Sequence, residues 1–256
     1  MPASDALILD PAKLDVWVAL RTDGVKGSGT ESDPYDGSMR PKPLITGITI
    51  SHAGTEATVT ANNHGYANGN IVVIAGATGA DGAFYNGTFL IYGVTQNAFK
   101  YGMNGTPGAS ATGSPTCTLD PYEFDALMRS LSTNTTIHLG PGTFLTKGFC
   151  LSAPAIFASW QPKSGWRMLG SGIDVTVLKL VEASLEGAFY SAIGTIYYNP
   201  AYRLSGFEVS DLTVDSNLSG QPIPSGKDFA PVTCGAILAV GTQIRIRRVR
   251  AINFGA

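Results

Sequence analysis

The chain has 256 residues, 14% of them charged, with a formal net charge of −2. That length allows one or two domains with a real core, and the absence of a basic excess argues against a nucleic-acid binder. Its 31 glycines follow no three-residue period, which excludes collagen and suits a β-rich chain with many tight corners.

The N-terminus, MPASDALILDPAKLDVWVAL, has no basic start followed by an apolar run, because Asp10, Pro11, Lys13 and Asp15 interrupt it. No signal peptide, transmembrane segment or membrane insertion is expected. Val16 to Ala19 reads as a strand. Asp23-Gly24, Gly27-Ser28-Gly29-Thr30 and Asp33-Pro34-Tyr35 follow as turn chemistry. Gly27-Ser28-Gly29 lacks the Lys-Ser/Thr ending and the helix of a phosphate loop.

Residues 43–119 have a different texture. Period-two strands recur at Ile45–Ser51, Ala57–Ala61, Ile71–Ala75, Thr88–Val94, Ala98–Tyr101 and Thr116–Leu119, separated by Asn-Gly and Gly-rich turns. Short strands at this spacing predict a small β-sandwich or barrel, taken here as an inserted β-sandwich. His64 is expected to be a turn histidine bonded to backbone, since no second residue has a metal-ligand spacing.

Pro121 to Leu131 predicts a helix. Phe124, Leu127, Met128 and Leu131 share one face, and Glu123 and Asp125 lie at the N-terminal end, where the dipole favours anions. Three apolar strands follow: Thr136–Leu139, Trp166–Leu169 and Thr176–Leu180. They are broken at Gly140-Pro141-Gly142 and Gly170-Ser171-Gly172, a pattern that lets a chain wind in flat coils. Phe207–Asp215 and Ile244–Ile252 each alternate, slip phase once at a corner and resume. Asn217 to Thr233, between them, reads as a Pro/Gly/Ser-rich loop. The three cysteines, Cys117, Cys150 and Cys234, form no CxxC and no Cys/His cluster, and read as buried or idle thiols.

The segments FDALMRSLSTNTTIHLGPGTF (Phe124 to Phe144) and GWRMLGSGIDVTVLKL (Gly165 to Leu180) resemble the first coils of right-handed parallel β-helix proteins of the pectate-lyase-like superfamily. The strand-and-turn opening at 15–39 is similar to the one that precedes the capping helix in bacterial members. The segments ATVTANNHGYANGNIVVIAGA and YNGTFLIYGVTQNAFKY resemble a small β module that recurs in phage tail proteins. Together these imply an all-β chain. Residues 1–42 start a right-handed single-stranded parallel β-helix, 43–119 are the inserted module, and 120–256 hold the N-terminal capping helix and first coils. With no C-terminal cap in the pattern, the chain is expected to continue beyond Ala256. The resemblance implies an extracellular or virion-associated protein that binds or degrades polysaccharide. The alternative is a non-enzymatic virion tail or surface adhesin. A tailspike would be a homotrimer.

Three constellations are candidate sites. Glu208, Asp211 and Asp215 are the candidate catalytic carboxylates; in the superfamily, lyases hold calcium with such groups and hydrolases pair them. Glu208 and Asp211 equally fit outward and corner positions of a plain coil. Arg245 and Arg247, with Arg248 and Arg250 beside them, suit the carboxylates or sulfates of an acidic polysaccharide, or simply form a solvated face. Tyr197, Tyr198 and Tyr202, with Tyr190, are placed to stack on sugar rings or to pack a loop. No residue demands a cofactor. Calcium enters only through the resemblance, which also allows the active site of a lyase or glycoside hydrolase to lie beyond this stretch.

Overall fold

The computed structural model describes residues 14–146, 158–160, 162–181, 191–194, 203–221 and 235–254. The protein is all-β apart from short helices, and its sheets are curled. Its strands fall into two compact units, Arg40–Ala126 and Met1–Met39 with Leu127–Ala256.

Strand β1 (Leu14–Ala19) forms where Val16 and Val18 alternate with more polar neighbours; both valines are buried. It pairs in parallel with the two-residue β2 (Tyr35–Asp36). The turn between them is tied by Arg21. Its guanidinium meets Asp23 and Asp33, each at 2.5 Å, and the Pro34 carbonyl at 2.9 Å. Gly27 (φ +78°) closes this turn, and a Cβ there would lie 2.0 Å from the Pro34 oxygen.

The Arg40–Ala126 unit carries β3 (Thr49–Ala53), β4 (Glu56–Thr60), β5 (Ile71–Thr78), the short helix α1 (Gly82–Tyr85), β6 (Gly87–Tyr92), β7 (Ala98–Gly102) and β8 (Thr112–Leu119). The strands pair antiparallel in the order β3-β4-β7-β6-β5-β8. They make one curled sheet; of the sandwich and barrel that the strand spacing allowed, the two separate layers of the sandwich are not what forms. Ile45 bridges back to Cys117 on β8 through two backbone hydrogen bonds of 2.8 and 2.9 Å, which takes the sheet close to a barrel. The first strand begins at Thr49 and not at Ile45, because Gly47 (φ +69°) interrupts it. Val59, Val72, Ile74, Phe99, Tyr101 and Cys117 fill the interior. Its buried tyrosine hydroxyls are satisfied: Tyr101 donates to the Tyr85 carbonyl at 3.0 Å and Tyr85 to the Ala109 carbonyl at 2.5 Å.

Helix α2 (Glu123–Ser130) buries Phe124, Leu127 and Met128, and Leu131, just past its end, completes the expected buried face. The other unit continues with β9 (Thr135–Leu139), β10 (Gly142–Thr146), β11 (Ala158–Trp160), β12 (Arg167–Leu169), β13 (Thr176–Leu180), β14 (Ser191–Gly194), β15 (Leu204–Ser205), β16 (Glu208–Asp215), β17 (Gly235–Leu238), β18 (Gly241–Thr242) and β19 (Arg245–Ile252). Every pairing among these strands is parallel. They form an eight-stranded sheet, a three-stranded sheet β11-β14-β17 and a pair β15-β18. In the large sheet β1, β9, β12, β16 and β19 stack side by side. Val16, Ile137, Met168 and Val209 are register partners and none is more than 3% exposed. Phe144, Leu178 and Val214 make a second buried column. Each such side chain contributes about 1.5–3 kcal/mol on burial.

The phase slip read in the sequence has a local cause. Asp211 (φ +60°) and Arg248 (φ +47°) sit in the left-handed region. The register runs Ser210–Arg247 and then Leu212–Val249, so one residue in each strand turns aside at the corner.

Candidate functional site

The strands that bury Val16, Ile137, Met168 and Val209 on one side set two columns on the other. One column is Asp15, Thr136, Arg167, Glu208 and Arg245; the next is Trp17, His138, Leu169, Ser210 and Arg247. Period two alone dictates this placement. At the β1 end the Trp17 and His138 rings stack with centroids 4.4 Å apart and planes within 12°. His138 Nε2 lies 3.2 Å from Asp15 Oδ1, which orients the imidazole. A shallow open groove lined by Trp17, His138, Leu169, Ser171, Glu31 and Pro34 runs beside this stack.

At the β19 end the face is basic. Glu208, 3% exposed, accepts from Arg167 Nε at 3.0 Å and from Arg247 Nη2. Burial pushes its carboxyl upward, but the hydrogen bonds from Arg247 and Arg167 outweigh that and hold it below the usual carboxylate range. Asp211 takes a bidentate grip from Arg248 at 2.5 and 2.8 Å, which holds its carboxyl at about 2. Arg250 reaches Asp174 at 2.6 Å. Arg245 is exposed and has no acidic partner among the described residues. Five guanidinium groups therefore face three carboxylates, leaving an excess of positive charge.

The three candidate catalytic carboxylates are not brought together. Glu208 and Asp211 are engaged by arginines. Asp215 accepts from the Asn217 backbone N–H at 2.8 Å and the Asn253 amide at 2.9 Å, with Lys179 Nζ 3.8 Å away. It ties the end of β16 to the turn that follows. Among the described residues no three His, Cys, Asp or Glu side chains are grouped to hold a metal ion.

Arg245 and Arg247 do lie on one face, as expected. Sequence reasoning missed Arg167 and the Trp17–His138 stack. Aligning DVWVA with TTIHL on their inward residues would have found the stack. Tyr190, Tyr197, Tyr198 and Tyr202 lie outside the described residues, as do Cys150 and Cys234.

In the antiparallel unit His64 Nδ1 accepts the Tyr66 backbone N–H at 3.0 Å, the turn role expected of it. Cys117 is buried, and burial pushes its thiol up. Among the described residues no helix is long and apolar enough to cross a membrane. No family model matches the chain, and no match is found among the curated proteins or the solved structures.

Proposed function

We propose that this protein binds acidic polysaccharide along the outward face of its large parallel sheet, and that the sheet is one wall of a right-handed parallel β-helix. The observation that carries the binding reading is the composition of that face. An aromatic pair, Trp17 on His138, stands at one end and an arginine cluster in excess over its acids stands at the other, in adjacent register columns. Aromatic rings stack on sugar rings, and planar guanidinium forks match carboxylates and sulfates. Arg167, Arg245 and Arg247 take the anionic groups, and Trp17 takes a ring face. The β-helix reading is supported by strands that recur in the same parallel register from β1 to β19, with corners at matched positions.

A second reading, a non-enzymatic virion tail or surface adhesin, is favoured by the engagement of Glu208, Asp211 and Asp215. Those carboxylates serve coil-to-coil pairing, so binding without turnover suits these residues better than lyase or hydrolase chemistry.

The test is a glycan array probed with the full chain, with Trp17→Ala and with an Arg245→Gln/Arg247→Gln double variant. Uronate-containing or sulfated glycans should be retained by the full chain and lost by the double variant, with Trp17→Ala weakened by about tenfold. Binding to no glycan would end the polysaccharide reading. Retention by the double variant equal to the unaltered chain would remove the arginines from it.

A further inference from the structure

Two loops at one end of the antiparallel unit are tied to each other: residues 61–70, between β4 and β5, and residues 93–97, between β6 and β7. The Ala61 N–H donates to the Asn97 carbonyl and the Asn63 N–H to Asn97 Oδ1, both at 2.9 Å. The Val94 N–H donates to Asn68 Oδ1 at 2.9 Å. An open cleft of about 490 Å³ lies here, lined by Asn63, Gly65, Tyr66, Val94, Thr95 and Gln96. Its size is that of a small-molecule site, and none of the six residues is charged. The Tyr66 ring is held from behind. Its centroid lies 4.8 Å from that of His64 and 5.7 Å from that of Phe99, and its hydroxyl is 3.5 Å from Sγ of the buried Cys117.

The amides say what the cleft takes. Gln96 Nε2 donates to Asn63 Oδ1 at 2.8 Å. That contact uses one amide oxygen and one amino group. Asn63 Nδ2 and Gln96 Oε1 have no protein partner among the described residues. Exchanging oxygen and nitrogen in both amides leaves the same pair, one donor and one acceptor side by side. Neighbouring hydroxyls of a sugar both donate and accept, so they match such a pair, and the sugar's C–H face packs on an aromatic ring. No cation lines the cleft to hold an anionic group. We propose that this cleft binds an uncharged pyranose, with Asn63 and Gln96 taking two adjacent hydroxyls and Tyr66 and Val94 taking the apolar edge. Binding here needs none of the arginines of the parallel sheet. It is also insensitive to salt, whereas recognition of charge on the sheet weakens with salt, so the two fail separately.

The test is a titration of the full chain, labelled with nitrogen-15, with neutral trisaccharides of glucose, of mannose and of galactose, each at low and high salt. At least one should bind with an affinity on the order of millimolar and shift the amide signals of Gly65, Thr95 and Gln96 equally at both salt concentrations. Two variants probe the amides. Gln96→Met removes the acceptor, and Asn63→Asp removes the donor while tolerating the left-handed φ of +50° that Asn63 adopts. Each keeps its fold if the spectrum stays dispersed, and each should bind at least about fivefold more weakly. Failure of all three sugars to move those signals at tens of millimolar would overturn the proposal. So would shifts confined to the parallel sheet, binding that falls with salt, or binding that either variant leaves undiminished.

Discussion

A carboxylate buried under two guanidinium groups loses hydration and is kept ionised by its partners. Glu208 is in that position, between Arg167 and Arg247. It orders both arginines and also competes for them with any anionic ligand. Glu208→Gln should therefore cost about 1–3 kcal/mol in chemical denaturation and at the same time tighten binding to an acidic polysaccharide. Weaker binding would mean that the carboxylate itself grips the ligand. Asp211 makes a pH prediction. Its carboxyl is held at about 2 by Arg248, below the unfolded value of about 3.9. Its stabilising contribution is present above the unfolded value and is lost as pH falls through about 2. Melting temperatures measured from pH 5 down to 2 should fall over the acid end in the unaltered chain and fall less in Asp211→Asn. Parallel curves for the two would show that the Arg248 contact is worth nothing in solution.

Glycine corners between the parallel strands decide how closely successive strands approach. A Cβ on Gly170 would lie 2.2 Å from the Asp211 backbone oxygen and 2.8 Å from Leu212 Cβ, whereas one on Gly140 would find its nearest atom, the Val18 oxygen, at 3.4 Å. Gly170→Ala should destabilise by about 1–3 kcal/mol and Gly140→Ala by much less, as read from urea midpoints. Equal effects would mean that the corners are looser than drawn. Helix α2 ends against Lys163, whose ammonium donates to the Arg129 carbonyl at 2.8 Å and to the Leu131 carbonyl. Trp166 Nε1 donates to the Ser132 carbonyl at 2.6 Å. Lys163→Met removes the cation from the C-terminal end of the helix and should cost about 1 kcal/mol; an unchanged melting temperature would contradict this. Strand positions, the helical face and the corner slip were legible because each is a pattern within ten residues. The slip in Phe207–Asp215 and in Ile244–Ile252 is the left-handed residue at Asp211 and at Arg248. The pairings of Arg167 with Glu208 and of Arg250 with Asp174 were not legible, because the register of the parallel sheet selects partners from strands distant in sequence.

The antiparallel unit has its own buried cluster, from Ile48 to Cys117, and its own backbone closure at Ile45. Residues 40–126 expressed alone should therefore fold cooperatively, with an amide spectrum dispersed as for a β protein; a collapsed spectrum would deny the unit its independence. The change of texture at residue 43 was visible in the sequence, whereas the continuity of its single curled sheet was not, since strand order is a long-range property. The same limit hid the Trp17–His138 stack, whose two strands are separated in the chain by the whole antiparallel unit. For the molecule as a whole, the proposed function is recognition of a polysaccharide's charge by the outward face of the parallel sheet. Titration calorimetry of the full chain with a soluble uronate polysaccharide and with its carboxyl-reduced neutral form, each at low and high salt, tests this most directly. Binding of the acidic form should weaken with salt, and the reduced form should bind at least about tenfold more weakly. Equal affinity for the two, or no heat with either, would contradict it.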